Sequence, residues 1–238
     1  MKLPTEKQPK NQSLISQTVL LYGPNKIGKT ELCAQIPDTL FLATEAGHNH
    51  VEAFVQPIKN WEDFLKACAE IAKMDHSFKV ICIDTVTNLL CFCTDHVCAQ
   101  HGIQHESDMG YGKGYALVRN EFIRALTKLS MLPVGLWMTA HSTEKAIETR
   151  TGTRTRIVPN LPEKMGQFIL DLADIVALCS VDRNEKGLNQ AERVIYTKPS
   201  PDYVAGDRSG RLEAKLPMTY AALAKAFEAT TPEPQTQA

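Results

Sequence analysis

Gly23, Pro24, Asn25, Lys26, Ile27, Gly28, Lys29 and Thr30, with Glu31 next, form the spacing G-x-x-x-x-G-K-T directly after the apolar run 19–22. Between a strand and a helix, such a loop turns successive backbone N–H groups toward one centre. The helix N-terminus adds its dipole, so an anion is the natural occupant. Lys29 is expected at the β- and γ-phosphates and Thr30 on Mg²⁺. Gly23 and Gly28 stand where a side chain or a negative φ would interrupt the wrap. The expected ligands are ATP and Mg²⁺, with residues 23–31 as the binding segment.

A second stretch supplies the rest of a metal site. Val80, Ile81, Cys82 and Ile83 are four apolar residues ending at Asp84. A strand beside the phosphate-loop strand would deliver this carboxylate to Mg²⁺, directly or through water, making Thr30 and Asp84 the metal pair. Thr85 follows where many such sites keep a glutamate, so a general base has to come from elsewhere. Glu45 ends the run 40–44, and strand C-termini form the active edge of an open α/β sheet. It is positioned to polarise an attacking water. His141 ends the run 134–140 at the same edge, where it can hydrogen-bond a γ-phosphate and relay its loss. His48 and His50 fall near the mouth of the site and receive no role.

The elements that must carry these groups alternate. The pattern predicts strands at 18–22, 39–43, 79–83, 133–139, 175–181 and 191–197. Helices are predicted at 29–35, 61–74, 86–100, 115–130 and 219–228, with a Gly-rich joint at 110–114. Short apolar strands between amphipathic helices imply an α/β fold, a mostly parallel sheet covered on both faces. The charged turn 182–187 joins the last two strands as an antiparallel edge hairpin. A basic arm (1–17) and a polar tail (229–238) flank one core, 18–228. The chain has 238 residues and a formal charge of −1, so nucleic-acid contact would need a local patch. No apolar run approaches 18 residues, so a cytoplasmic setting without a membrane partner is expected. Seven cysteines, several in apolar runs, suit free thiols better than a disulfide framework.

Glu45 after the second strand, Asp84 after the third and His141 after the fourth form a set that resembles the RecA/DnaB branch of P-loop ATPases. The likeness is nearest to small phage-type RecA-like (AAA-like) nucleotide-binding proteins, core-only recombinases that assist single-strand annealing. It extends over about residues 18–225, through the 23–30 loop, 44–45, 83–85, 109–115, 140–141 and 205–210. This resemblance implies catalytic roles for Lys29, Glu45, Asp84 and His141. Relatives carry a Lys-x-Arg pair that enters a neighbouring subunit's site. Here 206–208 keeps Arg208 and lacks the lysine, with Lys198 a substitute charge, so a homo-oligomeric ring or filament is implied. Single-stranded DNA is implied as partner, with a single-strand-binding protein beside it.

Two segments suit DNA. Residues 142–158, read as a flexible loop, hold Lys145, Arg150, Arg154 and Arg156 against Glu144 and Glu148. Residues 101–113 offer Tyr111 for stacking and Lys113 as a charge, beside Glu106 and Asp108. Cys91, Cys93, His96, Cys98, His101 and His105 crowd one stretch. If it stays helical, Cys98, His101 and His105 share a face on which zinc could sit, although no compact knuckle is present. Two other functions remain open on sequence: a nucleotide-gated interaction protein with little turnover, and a small-molecule kinase.

Overall fold

The computed structural model describes residues 13–149, 152–182 and 192–229, together with 3 and 5–7. Much of the basic arm expected at 1–17, Arg150, most of the 182–187 turn and 230–238 of the expected tail lie outside the described residues. Strands β1 (Thr18–Gly23), β2 (Thr39–Ala43), β3 (Phe54–Pro57), β4 (Val80–Asp84), β5 (Gly135–Thr149), β6 (Gly152–Pro159), β7 (Ile175–Asp182), β8 (Glu192–Tyr196), β9 (Gly206–Asp207) and β10 (Lys215–Pro217) form one sheet. Helices α1 (Lys29–Ala34), α2 (Trp61–Ala72), α3 (Val86–Gln100), α4 (Lys113–Ser130), α5 (Glu163–Leu172) and α6 (Tyr220–Ala229) cover it.

The sheet order is β10-β8-β7-β1-β5-β4-β2-β3. Pairing is parallel from β7 through β3 and antiparallel at β7–β8 and β8–β10, so the expected edge hairpin is present. One expectation is corrected by this order. The strand carrying Asp84 is not beside the phosphate-loop strand, because β5 pairs with both β1 and β4. Asp84 therefore has to reach the loop across the end of β5.

Strand alternation sorts the core into two layers. Leu20 and Tyr22, Ile81 and Ile83, and Leu136 and Met138 face α2–α5. Val19 and Leu21, Val80 and Cys82, and Trp137 face α1 and α6. Both layers are fully buried, which fixes strand register: a one-residue slip would exchange the two apolar sets. Tyr22 ties β1 to the segment between β8 and β9, its hydroxyl donating to Val204 O (2.7 Å) and accepting from Val204 N (3.0 Å).

The largest departure from expectation is at 142–158. This segment is not a flexible loop: β5 runs on past the sheet and pairs antiparallel with β6, from Ser142↔Pro159 to Thr149↔Gly152. It is a two-stranded arm. The helix expected from 115 begins at Lys113, and short β3 and helix α5 are additional to the sequence reading.

Candidate nucleotide site

Gly23 ends β1 opposite His141 of β5, so the loop leaves the C-terminal edge of the sheet. A Cβ on Gly23 would sit 2.4 Å from the carbonyl oxygen of Cys179 on β7, a contact no side chain tolerates. Gly28 has φ 106°, open to glycine and strained for other residues. Ile27 anchors the loop in the α1/α6 layer, while Asn25, Lys26 and Glu31 remain exposed. Lys29 is buried, and its Nζ donates to Gly23 O (3.1 Å) and Pro24 O (2.9 Å). Burial holds its pKa below the ordinary lysine value, against the opposing pull of Cys179, Asp84 and Glu45.

Asp84 is the hub. Its Oδ2 accepts from Thr30 Oγ1 at 2.7 Å, and Oδ1 accepts from Thr139 Oγ1, a side chain of β5 with no exposure. His48 Nε2 lies 3.2 Å from Oδ2, its ring edge-on to Phe41. Burial alone would raise this carboxyl. The close His48 ring and the hydrogen bonds of Thr139 and Thr30 outweigh it and hold the pKa below the usual aspartate value. Asp84 is thus an anion clasped by three elements. Thr30 and Asp84 form a hard-oxygen pair suited to Mg²⁺, and the glycine cradle at 23 and 28 leaves the loop amides clear for phosphate.

Glu45 is aligned one strand further out. Thr44 Oγ1 accepts from Thr85 N (2.8 Å) and donates to Thr85 O (3.0 Å), stitching the end of β2 to the end of β4. That clasp brings Glu45 Oε1 within 2.7 Å of Thr85 Oγ1, which donates to it, and 3.3 Å from His141 Nε2. Glu45, Asp84, His141, Lys29 and Thr30 line one cleft of about 740 Å³. The structure brings these five sequence-chosen residues together.

Arg208 is not among them. Its Nη1 lies 3.2 Å from Asp174 Oδ1, and Nη2 donates to Asp171 O. Asp174 also accepts from Thr18 N, at the start of β1, so Arg208 sits at the opposite edge of the sheet from the loop. Within one chain it does not reach the cleft. Lys198 Nζ lies 3.8 Å from Asp207 Oδ2 in the same region.

Sequence reasoning passed over four contributors: Thr139 and Thr85 as hydrogen-bond donors, His48 against Asp84, and Arg193. Arg193, the second residue of β8, lies beside the loop, and its Nη1 donates to Glu31 Oε2 at 2.9 Å. Two of these carried a local signal: Thr85 follows the strand-end aspartate, and His48 falls in sequence near the mouth of the site.

The proposed shared face of Cys98, His101 and His105 is corrected. Helix α3 stops at Gln100, the chain turns at Gly102, and His105 caps the 3₁₀ turn Glu106–Met109 by accepting from Ser107 N. No group of three His, Cys, Asp or Glu side chains among the described residues could hold a metal ion. Among the described residues no helix is long and apolar enough to cross a membrane.

The fold and the cleft are those of the α/β P-loop NTPase fold. The AAA domain family model matches residues 15–209, and the chain belongs to that family. It is similar to the SPbeta prophage-derived uncharacterized protein YorG of Bacillus subtilis (strain 168), at 26% identity over 216 residues, 87% of this chain and 64% of that protein. The chain therefore spans less than two thirds of that relative's length.

Proposed function

We propose that this chain is a RecA-like Mg-ATPase whose turnover is coupled to single-stranded DNA in recombination or strand annealing. The observation that carries the hydrolytic part is the Asp84 carboxylate clasped by Thr30 and Thr139, with Glu45 aligned by Thr85 and His141 in the same cleft. Mg²⁺ held by Thr30 and Asp84 would offset phosphate charge. Lys29 neutralises the transferring phosphate from inside the loop. Glu45 accepts a proton as water attacks phosphorus, and the bond to the leaving phosphate oxygen breaks. His141, in contact with Glu45, carries the loss of that phosphate to β5 and so to the arm.

The arm supports the DNA part. Alternation along β5 and β6 puts Lys145, Arg154 and Arg156 on one face with Ile147, and Glu144 and Glu148 on the other. Arg156 is engaged by the Ser200 and Tyr203 carbonyls, which leaves Lys145 and Arg154, the latter exposed 3.8 Å from Asp202, as the cations suited to phosphate contacts without base reading. Tyr111, fully exposed between Gly110 and Gly112, offers a second contact for a base. The prophage origin of YorG supports the phage-type setting. A homo-oligomer with Arg208 acting on a neighbour's nucleotide, and a single-strand-binding protein as companion, complete this reading.

The second reading is a nucleotide-gated interaction protein with little turnover. The observation favouring it is Arg208 held by Asp174 and Asp171 at the far edge.

Steady-state Mg-ATP hydrolysis with and without single-stranded DNA, with Lys29→Ala as blank, separates the two. DNA-stimulated turnover, abolished by Lys29→Ala and weakened by Lys145→Gln/Arg154→Gln, supports the first. Each lost phosphate contact should also lower the salt slope of DNA binding by about one. Tight ATP binding with turnover indifferent to DNA supports the second and refutes the first.

A further inference from the structure

Arg193 lies in the nucleotide cleft without a part in the hydrolytic scheme. Its backbone is held on both sides: Arg193 pairs with Val181 of β7, and its carbonyl accepts from Met218 N at 3.0 Å. The strand is fixed, so movement belongs to the side chain. The guanidinium reaches over the phosphate loop. Its Nη1 is 2.8 Å from where a Cβ on Gly28 would stand, and 2.9 Å from Glu31 Oε2 on the first turn of α1.

The Glu31 partner is a weak one. The two side chains keep 53% and 63% of their exposure, and ion pairs that open to water contribute little. A phosphate seated on the loop amides would be a stronger partner for the same fork, which matches planar oxygen pairs in a way a lysine does not. Lys29 cannot supply this contact, because its buried ammonium approaches from inside the loop, through Gly23 O and Pro24 O. Arg193 covers the outer side at Gly28. The loop is therefore flanked by two cations of different kinds, a buried point charge and a half-exposed fork with a carboxylate as its resting partner.

We infer that Arg193 is a phosphate ligand supplied by the same chain, exchanging Glu31 for a phosphate of the bound nucleotide. This rests on the nucleotide reading above and adds a residue to it. Glu31 is then a competitor for the guanidinium rather than a ligand.

The test is binding of inorganic tripolyphosphate and of ATP, each with Mg²⁺, by calorimetry on the full chain and on Arg193→Gln, Arg193→Lys, Glu31→Gln and Lys29→Ala. Arg193→Gln should weaken both ligands by about ten- to a hundredfold, the loss expected for a charge-assisted hydrogen bond. Arg193→Lys should restore only part, and Glu31→Gln should tighten both by a few-fold. Unfolding curves matching wild type would show that a surface pair was changed and not the fold. Tripolyphosphate binding left intact in Arg193→Gln overturns the inference. So does loss of ATP affinity alone, which would assign the guanidinium to the nucleoside. If wild type binds neither ligand and Lys29→Ala changes nothing, the nucleotide reading itself fails, an outcome distinct from failure at Arg193 alone.

Discussion

Thr139→Val removes one hydroxyl from the middle of the sheet and replaces it with a methyl group of nearly the same volume. Thr139 has no solvent exposure, and its hydroxyl donates to Asp84 Oδ1. No cavity forms, so the loss is that of a hydrogen bond to a buried anion, about 1.5–3 kcal/mol. A domain of this size loses about 2–4 °C of Tm per kcal/mol, so the melting point should fall by several degrees. Thr139→Ser keeps the donor and should lie close to wild type. The pH dependence has a definite sign. Asp84's folded pKa lies below its ordinary value, so its contribution to stability is present above the unfolded pKa and lost as pH falls through the folded one. Removing a donor moves the folded value up. The gap between Thr139→Val and wild type should be full at neutral pH and shrink below about pH 4, the ordinary aspartate range. The assay is urea unfolding in EDTA across pH, with Asp84→Asn as a second background. In that background the cost of Thr139→Val should fall by more than about 1 kcal/mol, the size of coupling expected for groups in contact. A cost that is the same at acid and neutral pH, and unchanged in the Asp84→Asn background, would refute the assignment of Asp84 as an anion held by Thr139.

Gly23→Ala would drive its Cβ to 2.4 Å from the Cys179 carbonyl, which belongs to the β7 backbone and cannot rotate away. It should destabilise by about 1–3 kcal/mol and abolish ATP binding, whereas Gly206→Ala, with nothing within 4 Å, should do neither. Glu45→Gln should leave ATP affinity near wild type and lower kcat by about 10²–10⁴-fold, measured by single-turnover hydrolysis. Of the free thiols, Cys91 alone is exposed, and Cys68 is half-buried with burial pushing its pKa up to about 12. Burial and Asp95 also raise the Cys91 pKa, so exposure decides: native protein should titrate one thiol ahead of the others with a disulfide reagent, faster as pH rises, and Cys91→Ser should remove that phase.

How far the sequence revealed this site follows from how local each part is. The loop at 23–30 and the acids at strand ends are legible because a strand, a turn and a cap fit within a few consecutive residues. Strand order is not local: nothing in residues 79–84 says that β5 will come between β4 and β1. The same insertion hid Thr139, whose importance arises only because β5 carries it to Asp84. The arm was missed for another reason. A half-buried strand shows apolar alternation, but β5 leaves the core after Ser142 and β6 returns to it only at Pro159, so their period of two is written in charge instead. Lys145 pairs across from Arg156, and Glu144 and Glu148 alternate with them, a pattern that resembles a polar loop when read without a partner strand.

Arg193 marks the limit of local reading most clearly. A lone arginine early in a short strand carries no motif, and its place over Gly28 depends on the antiparallel return of β8, which brings its first residues to the edge where β1 ends. Arg208 is the converse case. Its spacing resembles a family pair, yet β9 pairs with the beginning of β7, and that register sends it to the edge where β1 starts. Direction of the strand, more than residue type, decides which arginine meets the nucleotide cleft within a chain. A cation from 208 can act only across a boundary between copies, whereas one from 193 acts without a neighbour. Basal nucleotide affinity should therefore respond to position 193 at any protein concentration, whereas a contribution from position 208 requires association of copies and should rise with concentration.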